Sequence, residues 1–326
     1  MKSIWRNWAK ISVCFFLVGV FLLGISWAFG MRGGFVYIDA KGLHVVSQGN
    51  ADEGLLLVNE ENTEPFTAVD IYAVSADVEL IKSDHFGLEM RLPKGSEPVW
   101  GIENGVLSVK EQVKWSIFTI VNFDFITNAH FVKIYYPASL EIVDLKTISG
   151  NIKANANNSK SLTVKSTSGN LKIKGSGNVT LSTISGDVNA DLERAESIEI
   201  STTSGNISVE NDYDGETNLK INTISGTIRA DGNVWKNAQL KSTSGDIKVG
   251  GDFIGKTEMK SISGNVNLDI SGDIDKYGYE LKSLSGSMRV GNNRFEKNFR
   301  SFNADSAKNI IVVQTTSGDI RLDFDD

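Results

Sequence analysis

Three histidines, His44, His85 and His130, are the side chains best suited to move a proton or ligate a metal near neutral pH. They sit in unrelated contexts without an HExxH-type spacing, so they predict neither a metal site nor a general base. Three aspartates are more suggestive. Asp187, Asp246 and Asp319 each follow a Ser-Gly pair, in the stretches "TISGDV", "STSGDI" and "TTSGDI". Acids stacked in this way on a β-helix could bind calcium or act on a polysaccharide. Calcium, however, needs oxygen ligands converging on one point. These acids never fall in successive copies of the motif, and the calcium-binding GGxGxDxUx pattern is absent. They read as turn residues, spaced so that like charges do not touch. Cys14, the sole cysteine, lies within an apolar run, which excludes an intramolecular disulfide and a cysteine-based metal centre. No GxSxG elbow or P-loop is present. The expectation is a non-enzyme with no catalytic, cofactor-binding or metal-binding residues.

The elements that carry these residues repeat. Ser-Gly pairs place glycines at Gly150, Gly169, Gly186, Gly205, Gly226, Gly245, Gly264, Gly286 and Gly318, at spacings of 19, 17, 19, 21, 19, 19, 22 and 32. A period near 20 with fixed punctuation predicts a solenoid. Apolar residues alternate on both sides of each pair, as in Leu162, Val164, then Leu171, Ile173. Period two means short strands with one buried face. Glycine at the corner is expected to supply a positive φ, and the Asn or Asp after it suits a turn. Stacked coils bury a continuous face that one coil cannot bury alone. The fold class predicted is all-β, a parallel β-solenoid with coils of about 20 residues, preceded by one transmembrane helix.

The residue before the corner serine alternates in kind: Ile148, Thr167, Ile184, Thr203, Ile224, Thr243, Ile262, then Leu284 and Thr316. The second apolar position after the corner answers it with Ala154, Ile173, Ala190, Val209, Ala230, Val249. Either bulk is staggered between adjacent coils to fill the core, or one coil contains two repeats; one repeat per coil is the favoured reading. The long last gap, "NNRFEKNFRSFNADSAKN", reads as an inserted loop or irregular coil. The terminal "DFDD" reads as a charged guard on an open sheet edge.

Residues 11–31, "ISVCFFLVGVFLLGISWAFGM", hold 21 residues without a charge, enough to span a bilayer core as a helix. Lys2, Arg6 and Lys10 precede the run, which predicts a cytoplasmic N-terminus and an extracytoplasmic bulk. The competing reading is a signal peptide cleaved near "SWA" at Ser26–Ala28. The expected organisation is a cytoplasmic segment 1–10, the helix 11–31, a linker with opening strands 32–65, an N-terminal β region 66–148 and the repeat solenoid 149–326. The net charge of −7 argues against a nucleic-acid partner.

Residues 33–148 lack the corner motif but alternate like strands, as in "VDIYAVSADVELI" and "NGVLSV". With the junction "VKIYYPASLEIVDLKTISGNI" and the serial "TxSGD/NI" units, the chain resembles the DUF4097 family of adhesin-like proteins over roughly residues 66–326. The resemblance implies a β-helical bacterial envelope protein without established catalytic residues, with relatives tied to cell-envelope stress. One stretch departs from the family pattern: "KWSIFTIVNFDFITNAHF" is long and aromatic. Trp115, Phe123 and Phe125 share one strand parity, while Phe118 and Ile120 share the other. A strand apolar on both faces is either covered on both or offers one to a partner. These five residues are the candidate hydrophobic contact.

The functional expectation is a membrane-anchored, extracytoplasmic binding, adhesin-like or envelope-stress-sensing module. Its partners would be the membrane through its own anchor and an envelope protein, wall or lipid ligand. Two rivals stand beside it, a carbohydrate-active β-helix enzyme and a scaffold that self-associates at the membrane. The sequence leaves the oligomeric state open.

Overall fold

The computed structural model describes residues 34–39, 42–47, 55–93, 96–113, 130–301, 304 and 307–324. Two compact units are present. In the smaller, the strands Gly34–Asp39 and Gly42–Ser47 form an antiparallel hairpin. The apolar run 11–31 and the aromatic segment 114–129 lie outside the described residues. No helix among the described residues is long and apolar enough to cross a membrane.

The larger unit, residues 56–113 and 130–326, is a parallel β-solenoid with one repeat per rung. Each rung runs along one sheet, turns at the Ser-Gly corner, returns along a second sheet and bends again. Strand Ser161–Ser166 thus lies between Ile142–Thr147 and residues 178–182, in register and parallel. On the second sheet Ile152–Ala156 pairs with Leu171–Ser182, and that strand with Val188–Ser204. The period-two alternation sends every second side chain inward. Leu145, Val164, Leu181, Ile200, Ile221 and Leu240 stack rung upon rung with almost no exposure. On the second sheet Ala154 pairs with Ile173, Ala190 with Val209 and Ala230 with Val249, so bulk is staggered between adjacent rungs. That staggering fills the core without voids.

The solenoid begins before the first Ser-Gly pair. Ala68–Ala73 pairs in parallel with Ile142–Thr147, and Asp77–Lys82 with Phe131–Tyr136. Their corner is written Val74-Ser75-Ala76-Asp77. Gly150 stacks directly on Ala76, so the corner column continues through this degenerate copy.

At both ends the order of rungs in space differs from the order in the chain. Ala68–Ala73 lies between Val106–Val113 and Ile142–Thr147. The last strands, Asn309–Ser317 and Ile320–Phe324, slot between the rung of Lys256–Ile270 and the strand Tyr277–Val290. The strand Ile320–Phe324 is therefore not an open edge where Ile320, Arg321 and Leu322 pair with Met288, Arg289 and Val290, and the terminal Asp325 and Asp326 lie outside the described residues.

The edge of the last rung is covered from within the long gap, the first half of which is a strand and not a loop. Its residues Asn293–Arg300 form a strand folded back antiparallel along the last rung. The strand is charged, and Lys297 at φ 66° interrupts its extended backbone. Both features discourage pairing with another chain. The opposite end is closed by antiparallel strands as well, Gly87–Pro93 on Phe131–Tyr136 and Ser96–Glu103 on Val106–Val113. An Asn104-Gly105 turn with φ of 52° and 73° makes the latter hairpin.

Candidate functional site

The corner draws on four of five successive positions, and three of these have a structural duty. In "Thr202-Thr203-Ser204-Gly205" the first side chain points inward, and its hydroxyl donates to the carbonyl of Gly186, the corner glycine of the neighbouring rung, at 3.4 Å. The same bond recurs from Thr147 to Ala76 at 3.3 Å, Ser166 to Gly150 at 3.3 Å, Thr183 to Gly169 at 3.2 Å and Thr315 to Gly264 at 3.1 Å. A buried hydroxyl and a buried carbonyl are satisfied together at every Ser-Gly corner, which is why this position is Ser or Thr there, while the degenerate first corner has Ala73 in its place.

Glycine is required here for space. A Cβ built on Gly205 would stand 1.9 Å from the carbonyl oxygen of Gly186, and one on Gly226 would stand 1.9 Å from that of Gly205. The expectation of positive φ holds only for Gly245 at 150° and Gly318 at 157°; the other corner glycines do not have it. The corner glycines stack Cα on carbonyl, and contact between neighbouring rungs excludes any side chain.

The residue after the glycine forms a ladder of its own. Asp77, Asn151, Asn170, Asp187 and Asn206 each accept, through side-chain oxygen, the backbone N–H of the equivalent residue one rung on, at 2.7–3.0 Å. Asp246, Asn265 and Asp319 continue it. Asp187, Asp246 and Asp319 therefore hold the corner together, and in space no two of them are adjacent. The Ser287 amide and hydroxyl hold the Asp319 carboxyl below the usual carboxylate range. Among the described residues no group of three His, Cys, Asp or Glu gathers as a metal site.

His85 and His130, both in the larger unit, share no site. His85 Nδ1 lies 2.7 Å from Asp84 and 3.0 Å from Ser83 Oγ, within one turn, and its ring stacks on Tyr135 at 5.6 Å. Burial, with a hydrogen bond to Glu89, pushes the Tyr135 hydroxyl up to about 12. His130 contributes a backbone carbonyl to Asp77 N–H. The side chain of His44 and the candidate contact residues Trp115, Phe118, Ile120, Phe123 and Phe125 lie outside what the structure describes.

The fourth position, before the corner serine, corrects the reading of the core. Ile148, Ile184, Ile224, Ile262 and Leu284 point outward, with 39, 53, 53, 55 and 71% of their surface exposed. They do not answer the small core residues Ala154, Ala190 and Ala230, because the corner separates the two and only the alanines face inward. Strand parity carries the missed signal: Lys146 and Ile148 share one side, Leu145 and Thr147 the other. These five make up most of the nine large apolar side chains that are exposed among the described residues, and all five lie on one line. Scattered exposed apolar residues need no explanation, but an aligned row does.

Basic side chains flank the row. Two residues before it, on the first sheet, stand Lys146, Lys165, Lys241, Lys260 and Lys282; on the second sheet stand Lys153, Lys172, Arg229, Lys248 and Arg289. Some are paired outward, Lys146 with Asp144 at 2.6 Å and Lys153 with Glu79 at 2.5 Å. The hydrogen bond from Asp144 raises the Lys146 ammonium above its ordinary pKa. Lys165, Lys172, Arg229, Lys241 and Lys282 carry no ion pair among the described residues. A cavity of about 260 Å³ at the C-terminal cap is lined by Lys282 and by the Arg300–Glu280 ion pair at 2.7 Å.

A corner column of stacked Ser-Gly units on a two-sheet parallel solenoid defines a class of repeat protein, and the sequence match agrees. The chain belongs to the Toastrack DUF4097 family, whose model matches residues 66–323. Among solved structures it is similar to a "putative adhesin" from Bacteroides fragilis, at 12% identity and a TM-score of 0.42, over 83% of this chain and 98% of that one. A "putative lipid binding protein" from Parabacteroides distasonis matches at 13% identity and 0.42, with the same coverage. A "putative cell adhesion protein" from Clostridium sporogenes matches at 11% and 0.21, over 83% of this chain and all of that one. No curated protein matches the sequence.

Proposed function

We propose that this protein is a binding module of the cell envelope that acts by surface contact, without catalysis. It would be held by residues 11–31 as a membrane anchor, with the solenoid on the extracytoplasmic side, serving an adhesin-like or envelope-stress-sensing role. The observation that supports this best is the division of labour at the corner. Three of its four positions are consumed by structure, while the fourth builds an outward row in which Ile or Leu alternates with Thr, with a basic residue beside it on every rung but those of Ile184 and Thr203. A row without a structural duty is free to meet a partner. The uncharged run behind Lys2, Arg6 and Lys10 supports the topology.

The test pairs fractionation with capture. Full-length protein should stay with membranes, its C-terminal part should be cut by protease added outside intact cells, and it should retain defined envelope lipids or wall polymers. A soluble cytoplasmic protein, or one that degrades a wall polysaccharide, would overturn the reading.

A further inference from the structure

The outward row has an order that the chain alone does not show. In space the position before the corner serine runs Ile148, Thr167, Ile184, Thr203, Ile224, Thr243, Ile262, Thr316, Leu284. In the chain, Leu284 follows Ile262 directly and Thr316 comes last. Because Asn309–Ser317 slots between Lys256–Ser263 and Tyr277–Val290, Thr316 falls between the two aliphatic residues. From Ile148 onward strict alternation is thus a property of the assembled surface, while Val74, half-buried at the same position of the degenerate corner, stands before Ile148 and adds a second aliphatic residue there. The core does not impose the alternation. The inward position answers with small residues at Ala154, Ala190 and Ala230 but ends in Leu268, Leu322 and Val290, all large. The outer pattern continues where the inner one stops.

We infer that this ridge is a contact surface for an anionic phospholipid bilayer. With rungs about 4.8 Å apart, the row is roughly 38 Å long and presents an aliphatic side chain every ~9.6 Å. It stands on the convex edge where the two sheets meet, a shape that touches a plane along a line and encloses no small molecule. The aliphatic tips enter the boundary between headgroups and acyl chains, as on interfacial amphipathic segments. Lys165, Lys241 and Lys282 on one flank and Lys172 and Arg229 on the other then lie at headgroup level, where each basic residue favours an anionic surface. The crest acids Asp77, Asp187, Asp246 and Asp319 are spaced apart, and each has a carboxylate oxygen already engaged by a backbone N–H. The same charges disfavour a second copy, since two ridges face to face would bring their lysine columns together.

The inference rests on the proposed binding role and names its partner. It is tested on the full chain reconstituted into phosphatidylcholine vesicles with or without phosphatidylglycerol. In a Cys14→Ser background, an environment-sensitive fluorophore is placed at Ile224→Cys on the ridge or at Glu196→Cys, exposed at the opposite bend. With phosphatidylglycerol present, the ridge probe should shift to the blue, brighten severalfold and be quenched by lipid-borne quenchers, while the probe at 196 stays in water. High salt, or the triple change Lys165→Glu, Lys241→Glu and Lys282→Glu, should return the ridge probe to its phosphatidylcholine value. Ile184→Ser with Ile262→Ser should cut the quenching severalfold while leaving the urea midpoint unchanged. Equal signals at both probes, or a ridge signal indifferent to lipid charge and salt, would overturn the inference. So would a ridge signal that rises with protein concentration without vesicles, which would mark self-association. If the ridge stays in water while the chain still captures another envelope component, this inference falls and the binding role stands.

Discussion

The two bends of each rung solve the same problem in opposite ways. At the Ser-Gly corner the rungs share one solution: a buried hydroxyl on a glycine carbonyl, a glycine stacked on a glycine and, except where Thr227 and Ser287 replace it, an Asx oxygen on the next amide. At the far bend each rung improvises. Ser159 and Ser176 exchange hydroxyl-to-carbonyl bonds at 3.2 and 3.0 Å. A few rungs on, the buried Asn211 amide and Thr217 hydroxyl close on the carbonyl of Ala195. Further along, Trp235 fills the bend completely, with its indole N–H on Gly250 carbonyl at 2.8 Å and its ring packed against Gly232. Near the C-terminal cap Tyr277 hydrogen-bonds Asp252, and burial raises its hydroxyl pKa. The strands Leu171–Ser182 and Ile228–Ser244 run through this bend with register shifts. Insertions between repeats are absorbed there, since the corner has no room for them. One bend fixes the pitch of the solenoid and the other tolerates variation.

This contrast predicts that stability is shared evenly along the corner and concentrated in single residues at the far bend. The largest effect should come from Trp235→Ala, about 3–5 kcal/mol by urea unfolding. Ser159→Ala at the same bend should cost only about 1 kcal/mol. Equal costs for the two would remove the idea of one-off solutions.

Next comes glycine. Gly205→Ala and Gly226→Ala should each cost about 3 kcal/mol, because the added methyl meets a backbone carbonyl that cannot rotate away. A severalfold difference between them would mean that the corners are not equivalent.

Smaller still is Thr202→Val, expected at about 1–2 kcal/mol because it leaves a buried carbonyl without its donor. Its exposed neighbour should behave differently, with Thr203→Ala staying within about 0.5 kcal/mol. Calorimetric melts of the pair would show whether inward and outward positions are told apart.

The smallest effect concerns pH. Asp319 has a lower carboxyl pKa folded than unfolded, so its contribution is complete above the unfolded value near 4 and is lost as pH falls through the folded one. Asp319→Asn should therefore flatten the acid limb of the stability profile slightly and leave neutral stability almost unchanged. A shift at neutral pH alone would show that the ladder needs the charge.

The contrast also explains what could be read beforehand. One solution written many times leaves a period, so the solenoid, the corner and the turn role of Asp187, Asp246 and Asp319 were legible from residue types and spacing. The far bend leaves none, because Ser159, Asn211, Trp235 and Tyr277 share no residue type. The corner copy Val74-Ser75-Ala76-Asp77 went unread because alanine stands where glycine marks the others. The ridge was half legible. The alternation of Ile and Thr was visible, but it was assigned to core packing when strand parity sends it outward.

By itself the sequence determined the architecture: period two set the strands, the Ser-Gly punctuation set a repeat of about 20 residues, and the family followed from their recurrence, while strand pairing decided that one repeat makes one rung. Only the tertiary structure decided the order of rungs at the two ends, the antiparallel strand that closes the last rung, and the reason for glycine. Each depends on which strand edges meet, and backbone edges are nearly alike in every strand. A local pattern records which face of a strand is apolar, but it does not record which neighbour will be hydrogen-bonded alongside. The alternation of Ile148, Ile184, Ile224, Ile262 and Leu284 with threonine is complete for the same reason, since Thr316 takes its place only when its strand is inserted between two that precede it in the chain.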